Sequence, residues 1–153
     1  MKQFCLSIIV AIGLTLPAFG QGVDPLIGTW KLSLEKSTSI GVPLNRSGTL
    51  TFAEEGQNLI DTAEGIDAQG QAFKVVYRHI YDEMPHPTTG SANYDSTTYT
   101  RIGNTINGVR FKNGKVVDVA QAVIVPGKTY TSTAGGIAAN GQPYHQVLVY
   151  DRQ

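Results

Sequence analysis

From residue 26 onward the apolar positions of this chain alternate with polar ones, and no window carries the three-or-four spacing of a helical stripe. Turn-forming pairs interrupt the alternation at short intervals: Glu55-Gly56, Asp67 to Gly70, Gly103-Asn104, Asn113-Gly114, Pro126-Gly127 and Asn140-Gly141. Between them lie RSGTLTF, QAFKVVYRHIY, YDSTTYTRI, KVVDVAQAVIV, KTYTSTA and QPYHQVLVY. Val, Ile, Thr and Tyr dominate these segments, and such side chains suit a pleated, half-buried surface. About nine strands are predicted, within a range of eight to ten.

Period two assigns the faces. On the first strand Leu26, Gly28, Trp30, Leu32 and Leu34 share the inner side, with Thr29, Lys31 and Ser33 opposite. Leu50 and Phe52 point inward on the second. Phe73, Val75, Tyr77, His79 and Tyr81 form an aromatic-rich inner face on the fourth, backed by Lys74 and Arg78.

One stretch is nearly repeated. TAEGIDAQGQAF, residues 62–73, agrees with TAGGIAANGQPY, residues 133–144, at seven of twelve positions. Either one hairpin is used twice, or similar turn chemistry arose separately. The alignment sets Tyr77 against Leu148, His79 against Tyr150 and Tyr81 against Arg152, and turns His145 outward with Lys74.

Consecutive hairpins with one buried face make an all-β fold, an up-and-down antiparallel barrel rather than a sandwich. Gly28, Thr29 and Trp30 on its first strand resemble the Gly-x-Trp signature of lipocalins. The wider stretches DPLIGTWKLSLEKS, YDEMPHPTTGSANYDS and VLVYDRQ are similar to small secreted bacterial lipocalin-like, calycin-type proteins, most of them without assigned function. The resemblance implies that Trp30 plugs the barrel base, its indole N–H reaching a carbonyl at a strand end, with Arg152 stacked across the ring. A mid-chain Thr-Asp-Tyr is missing; only Tyr94-Asp95 stands near that pattern.

Two connections are long, residues 35–46 and 82–93. Strand counting puts the first over the mouth, where Ile40 and Val42 could lie on a ligand as a lid. The second falls underneath, as a plug stiffened by Pro85 and Pro87.

Composition changes the picture mainly at the N-terminus. Lys2, the apolar run from Phe4 to Leu16 and the Ala18-Phe19-Gly20 site make residues 1–20 a secretory signal, leaving residues 21–153 as the barrel domain. The product is expected to be secreted or periplasmic. Cys5, the sole cysteine, lies in that signal, so the mature chain has no thiol or disulfide and no cysteine for lipid attachment. Without Lys2 there are 11 basic against 12 acidic residues, a charge that favours neither nucleic acid nor anionic lipid, and no membrane insertion is expected.

Motifs for serine hydrolysis, zinc peptidases, phosphate loops and calcium loops are absent from the sequence, and no cofactor is implied. Asp82 and His86 read as a surface-loop pair rather than as metal ligands with His79. His79 with Tyr77 is the candidate acid–base pair if the cavity is catalytic, although no carboxylate is identifiable to orient its ring. Tyr77, His79, Tyr81, Phe52, Tyr99 and Arg101 are the candidate ligand contacts, with Ile40 and Val42 above them. Arg101 and Arg110 otherwise read as outward charges, though an interior arginine would suit a carboxylate head group. Three functions follow: a barrel holding a small hydrophobic molecule, a small hydrolase, isomerase or cyclase working in the same cavity, or an envelope protein whose barrel is filled by its own side chains.

Overall fold

The computed structural model describes residues 23–153. The secretory signal read in residues 1–20, with Cys5, lies outside them. Ten strands follow in chain order: β1 (Gly28–Ile40), β2 (Ser47–Glu55), β3 (Asn58–Ile66), β4 (Ala72–His79), β5 (His86–Pro87), β6 (Ser96–Ile102), β7 (Thr105–Lys112), β8 (Lys115–Val125), β9 (Thr129–Ile137) and β10 (Pro143–Arg152). All pairings are antiparallel, in the order β4-β3-β2-β1-β10-β9-β8-β7-β6-β5. The sheet curls until its ends meet, where Val76 of β4 and Thr89 exchange backbone hydrogen bonds of 2.9 and 3.1 Å. The fold is the expected all-β, up-and-down, lipocalin-like barrel.

Most assigned faces match burial. Trp30, Leu32, Leu50, Phe52, Val75, Tyr77 and His79 are buried, while Lys74, Arg78 and His145 lie outside. Leu34 does not follow the alternation and is 47% exposed. The cause is a bulge in β1: Ser33 pairs with Val149 and Thr38 with Val147, so residues 34–37 oppose Leu148 alone and the period is lost. Ser37 fills the gap, donating to the Ser33 carbonyl at 2.7 Å and accepting from the Val149 N–H at 3.0 Å. Tyr81, also expected inside, is 38% exposed because β4 ends at His79.

The near-repeat is one loop geometry used twice. In the β3–β4 turn Asp67 N–H donates to the Gln71 carbonyl and Gly70 N–H to that of Asp67, at 2.8 and 3.1 Å; Ala138 with Gln142 and Gly141 with Ala138 make the same two bonds in the β9–β10 turn, at 2.9 and 2.8 Å. Gly70 and Gly141 supply the positive φ, 91° and 78°.

The reading of the long connections needs correction. β1 continues through Ile40, which shortens the upper loop to residues 41–46. Residues 82–93 do not lie underneath. β4 and β6 both run from mouth to base, so the chain between them must climb the full height of the wall. It rises as β5 beside β6, touches β4 through Thr89 and reaches the mouth at Ser91 to Tyr94. Pro85 and Pro87 lack N–H donors and keep that climbing strand rudimentary, which hides it from a count of strands.

The base is closed by Trp30, which is fully buried. Its Nε1 donates to the Leu26 carbonyl at 2.8 Å, and Arg152 lies over the ring, its guanidinium carbon 4.9 Å from the centroid. Gly28 is required here: at φ 123° a Cβ would stand 2.3 Å from Arg152 Nη2. The spacing of glycine and tryptophan thus has a mechanical cause, since the guanidinium passes over the bare Cα of residue 28 to reach the indole. Phe52 and Tyr130 form the next layer, with ring centroids 5.6 Å apart, and the interior opens above them.

Candidate functional site

A cavity of about 890 Å3 occupies the upper barrel and opens at the mouth between the loops carrying Val42, Gln69, Asn93 and Asn140. It carries two polar clusters, one on its floor and one on its wall.

At the floor, alternation on β4 turns His79 inward, and β3 supplies Asp61 from a position paired with Tyr77, hence diagonal to His79. The imidazole stacks on Tyr99 with centroids 4.1 Å apart and planes 15° from parallel, and meets Phe52 edgewise at 5.4 Å. His79 and Asp61 are 2% and 5% exposed. Their closest approach, Nε2 to Oδ2, is 3.8 Å, too long for a hydrogen bond. Both ring nitrogens and Asp61 Oδ1 have no hydrogen-bond partner among the described residues.

Burial pushes the Asp61 carboxyl above its ordinary value of 3.8, with the neighbouring imidazole and Arg110 opposing the rise. The folded state therefore holds this proton more tightly than the unfolded chain does. Its contribution to stability is full below 3.8 and is lost as pH rises through the raised value. An Asp61→Asn variant, neutral at every pH, is expected to match the parent near pH 3 and to melt a few degrees higher than it near pH 8. Parallel melting curves across that range would show that Asp61 is not a buried charge.

On the wall, Ile106, Gly108 and Arg110 share the inner face of β7. Arg110 Nη1 donates to Asp118 Oδ1 at 2.9 Å, and the guanidinium lies 5.1 Å above the Tyr94 ring centroid. Burial opposes the Arg110 charge, but the group stays protonated, held by its ion pair with Asp118 and by the Tyr94 ring it stacks on. Burial raises the Asp118 carboxyl against the pull of Arg110. The Tyr77 and Tyr94 hydroxyls are hydrogen-bonded to each other, and burial drives the Tyr77 and Tyr99 phenols far upward, so both remain neutral donors. The wall thus presents one compensated cation and a set of hydroxyls to the cavity.

Of the residues singled out in the sequence, Tyr77, His79, Tyr99 and Val42 line the cavity. Phe52 lies beneath it, between His79 and Tyr130. Arg101 is at the base, its Nη2 3.1 Å from Asp24 Oδ1 and its guanidinium carbon 5.9 Å from the Tyr81 ring, so neither Arg101 nor Tyr81 borders the cavity. Ile40 is 73% exposed at the end of β1. His86 and Asp82 are paired at 2.8 Å on the exposed climbing segment, away from His79. Gly28, Trp30 and Arg152 make the base described above. Arg110, read as an outward charge, faces the cavity instead. Asp61 and Asp118 were not anticipated, although both occupy alternating inner positions.

The sequence matches no protein-family model and no curated protein. Among solved structures it is similar to the crystal structure of Rv2717c from M. tuberculosis, with a TM-score of 0.55 and 15% identity, covering 84% of this chain and 93% of that one. It is also similar to that of zebrafish ileal bile acid-binding protein complexed with cholic acid, with a TM-score of 0.52 and 12% identity, covering 85% and 100%. At these identities the likeness is one of fold, an antiparallel β-barrel enclosing a cavity.

Proposed function

We propose that this protein binds one small, largely apolar molecule inside the barrel, and does so outside the cytoplasm after removal of residues 1–20. The observation that carries the reading is the cavity itself: about 890 Å3, closed below by Trp30 and open above, which is the size usual for a small-molecule site. A barrel filled by its own side chains would have no such space. The fold neighbour from zebrafish, a bile acid-binding protein solved with cholic acid, supports this reading.

Native mass spectrometry of the protein purified from the organism that makes it tests both halves of the reading. The expected spectrum shows a protein mass beginning at Gln21 plus a bound species of a few hundred daltons, released on denaturation. A protein that retains residues 1–20 overturns the location; one that is ligand-free and takes up no hydrophobic probe overturns the binding function.

One observation favours a second reading, a cavity enzyme. A buried imidazole beside a carboxylate is an arrangement that general acid–base catalysis uses. Turnover on a panel of esters, epoxides and enones that disappears in His79→Ala would replace the binding reading with this one.

A further inference from the structure

We propose that Asp61 and His79 form a recognition site for a hydroxyl group, so that the ligand is a largely apolar alcohol seated hydroxyl-first against the cavity floor. The inference rests on the binding reading above and adds the chemistry of the ligand and the direction in which it enters.

Among the described residues, three polar atoms on two adjacent side chains lack partners: Asp61 Oδ1, His79 Nδ1 and His79 Nε2. Groups as deeply buried as these are almost always hydrogen-bonded, and each such exception calls for a cause. The pair does not satisfy itself, because 3.8 Å separates its nearest atoms. Both side chains border the cavity, with Leu50 and Ile106 beside them, and their unpaired atoms are buried in its floor. Tyr99 stacked on one face of the imidazole and Phe52 at its edge fix the ring, so the unpaired atoms are held in place before any ligand arrives.

The complement of donors and acceptors selects the group. Asp61 Oδ1 accepts, and a neutral imidazole offers one N–H and one bare nitrogen. A hydroxyl both donates and accepts, and so answers the carboxylate and the ring together. A ligand carboxylate would set two acids against each other on the floor. An ammonium has no acceptor for the imidazole N–H and would share the cavity with the Arg110 cation. The apolar belt of Leu50, Ile106 and Ala122 then receives the hydrocarbon body.

Displacement of the neutral fluorescent probe N-phenyl-1-naphthylamine by three ligands of equal chain length tests this: 1-decanol, 1-chlorodecane and decanoate. In the wild type, decanol is expected to bind about tenfold more tightly than chlorodecane, although it is the less hydrophobic of the two, and more tightly than decanoate. Asp61→Leu and His79→Phe, which keep the volume and the stacking of the floor, should each abolish the preference, bringing the ratio of decanol to chlorodecane affinity to about one or below. The comparison within the wild type needs no variant, so it stands even if a substitution impairs folding. A probe that binds without any preference for decanol overturns the hydroxyl site and leaves the binding barrel intact, the floor then holding water only. Tighter binding of decanoate also overturns it and moves recognition to Arg110. Failure of the wild type to bind the probe or any of the three ligands overturns the barrel's binding function together with the site.

Discussion

Alanine in place of Trp30 is expected to cost about 3–5 kcal/mol, the usual range for deleting a large buried aromatic side chain. For a domain of this size that is a fall in Tm of roughly 10–20 °C. Three losses combine. The fully buried indole leaves a void at the base, the Leu26 carbonyl loses its 2.8 Å donor, and Arg152 loses the ring beneath it. Trp30→Phe keeps most of the burial and should lose only about 1–2 kcal/mol, because the missing N–H leaves one carbonyl less well paired. Urea titration followed by far-ultraviolet circular dichroism measures both without relying on the tryptophan. A Trp30→Ala protein within about 1 kcal/mol of the parent would mean that the base is closed by something else.

The neighbouring positions Val75 and Lys74 are expected to respond in opposite ways to the same new side chain. Val75 is 8% exposed on the inner face of β4, and Asp in its place puts a charge without a partner into the barrel, at a cost of about 3 kcal/mol or more. Lys74 is exposed, with Nζ 3.7 Å from Glu64 Oε2, and Lys74→Asp sets two acids side by side on a solvated surface, at a cost of under about 1 kcal/mol. Equal losses of Tm in the two variants would break the assignment of faces along β4.

Much of the barrel was legible in the alternation because hairpin after hairpin keeps one face dry, and period two carries that information residue by residue. It failed where the backbone departs from a regular ladder. Leu34 turns outward at a bulge, which leaves no mark in a pattern of apolar letters. The climb of residues 82–93 contains a strand of two residues, too short to read, yet it changes the direction of the connection and so the end at which it arrives. The polar part of the site was hidden differently. Asp61 stands in alternation with Leu59 and Ala63, and Arg110 with Ile106 and Gly108, so the period alone placed both inside. Charged residues are ordinarily assigned to solvent, which is how Arg110 reads, and the strand carrying Asp61 is not among the segments whose faces the alternation assigns. The carboxylate missing beside His79 comes from 18 positions earlier in the chain, through a strand pairing that only the register of β3 and β4 reveals.

The pairing of β1 with β10 has a consequence for how the molecule is made. Every other long strand finds its neighbours soon after it is synthesised, but one edge of β1 stays unpaired until β10 exists. A growing chain therefore carries an open sheet edge through almost its whole synthesis, and the barrel can shut only when that final strand slides between β1 and β9. The same geometry makes the growing chain depend, until the last strand arrives, on being kept away from other copies of itself.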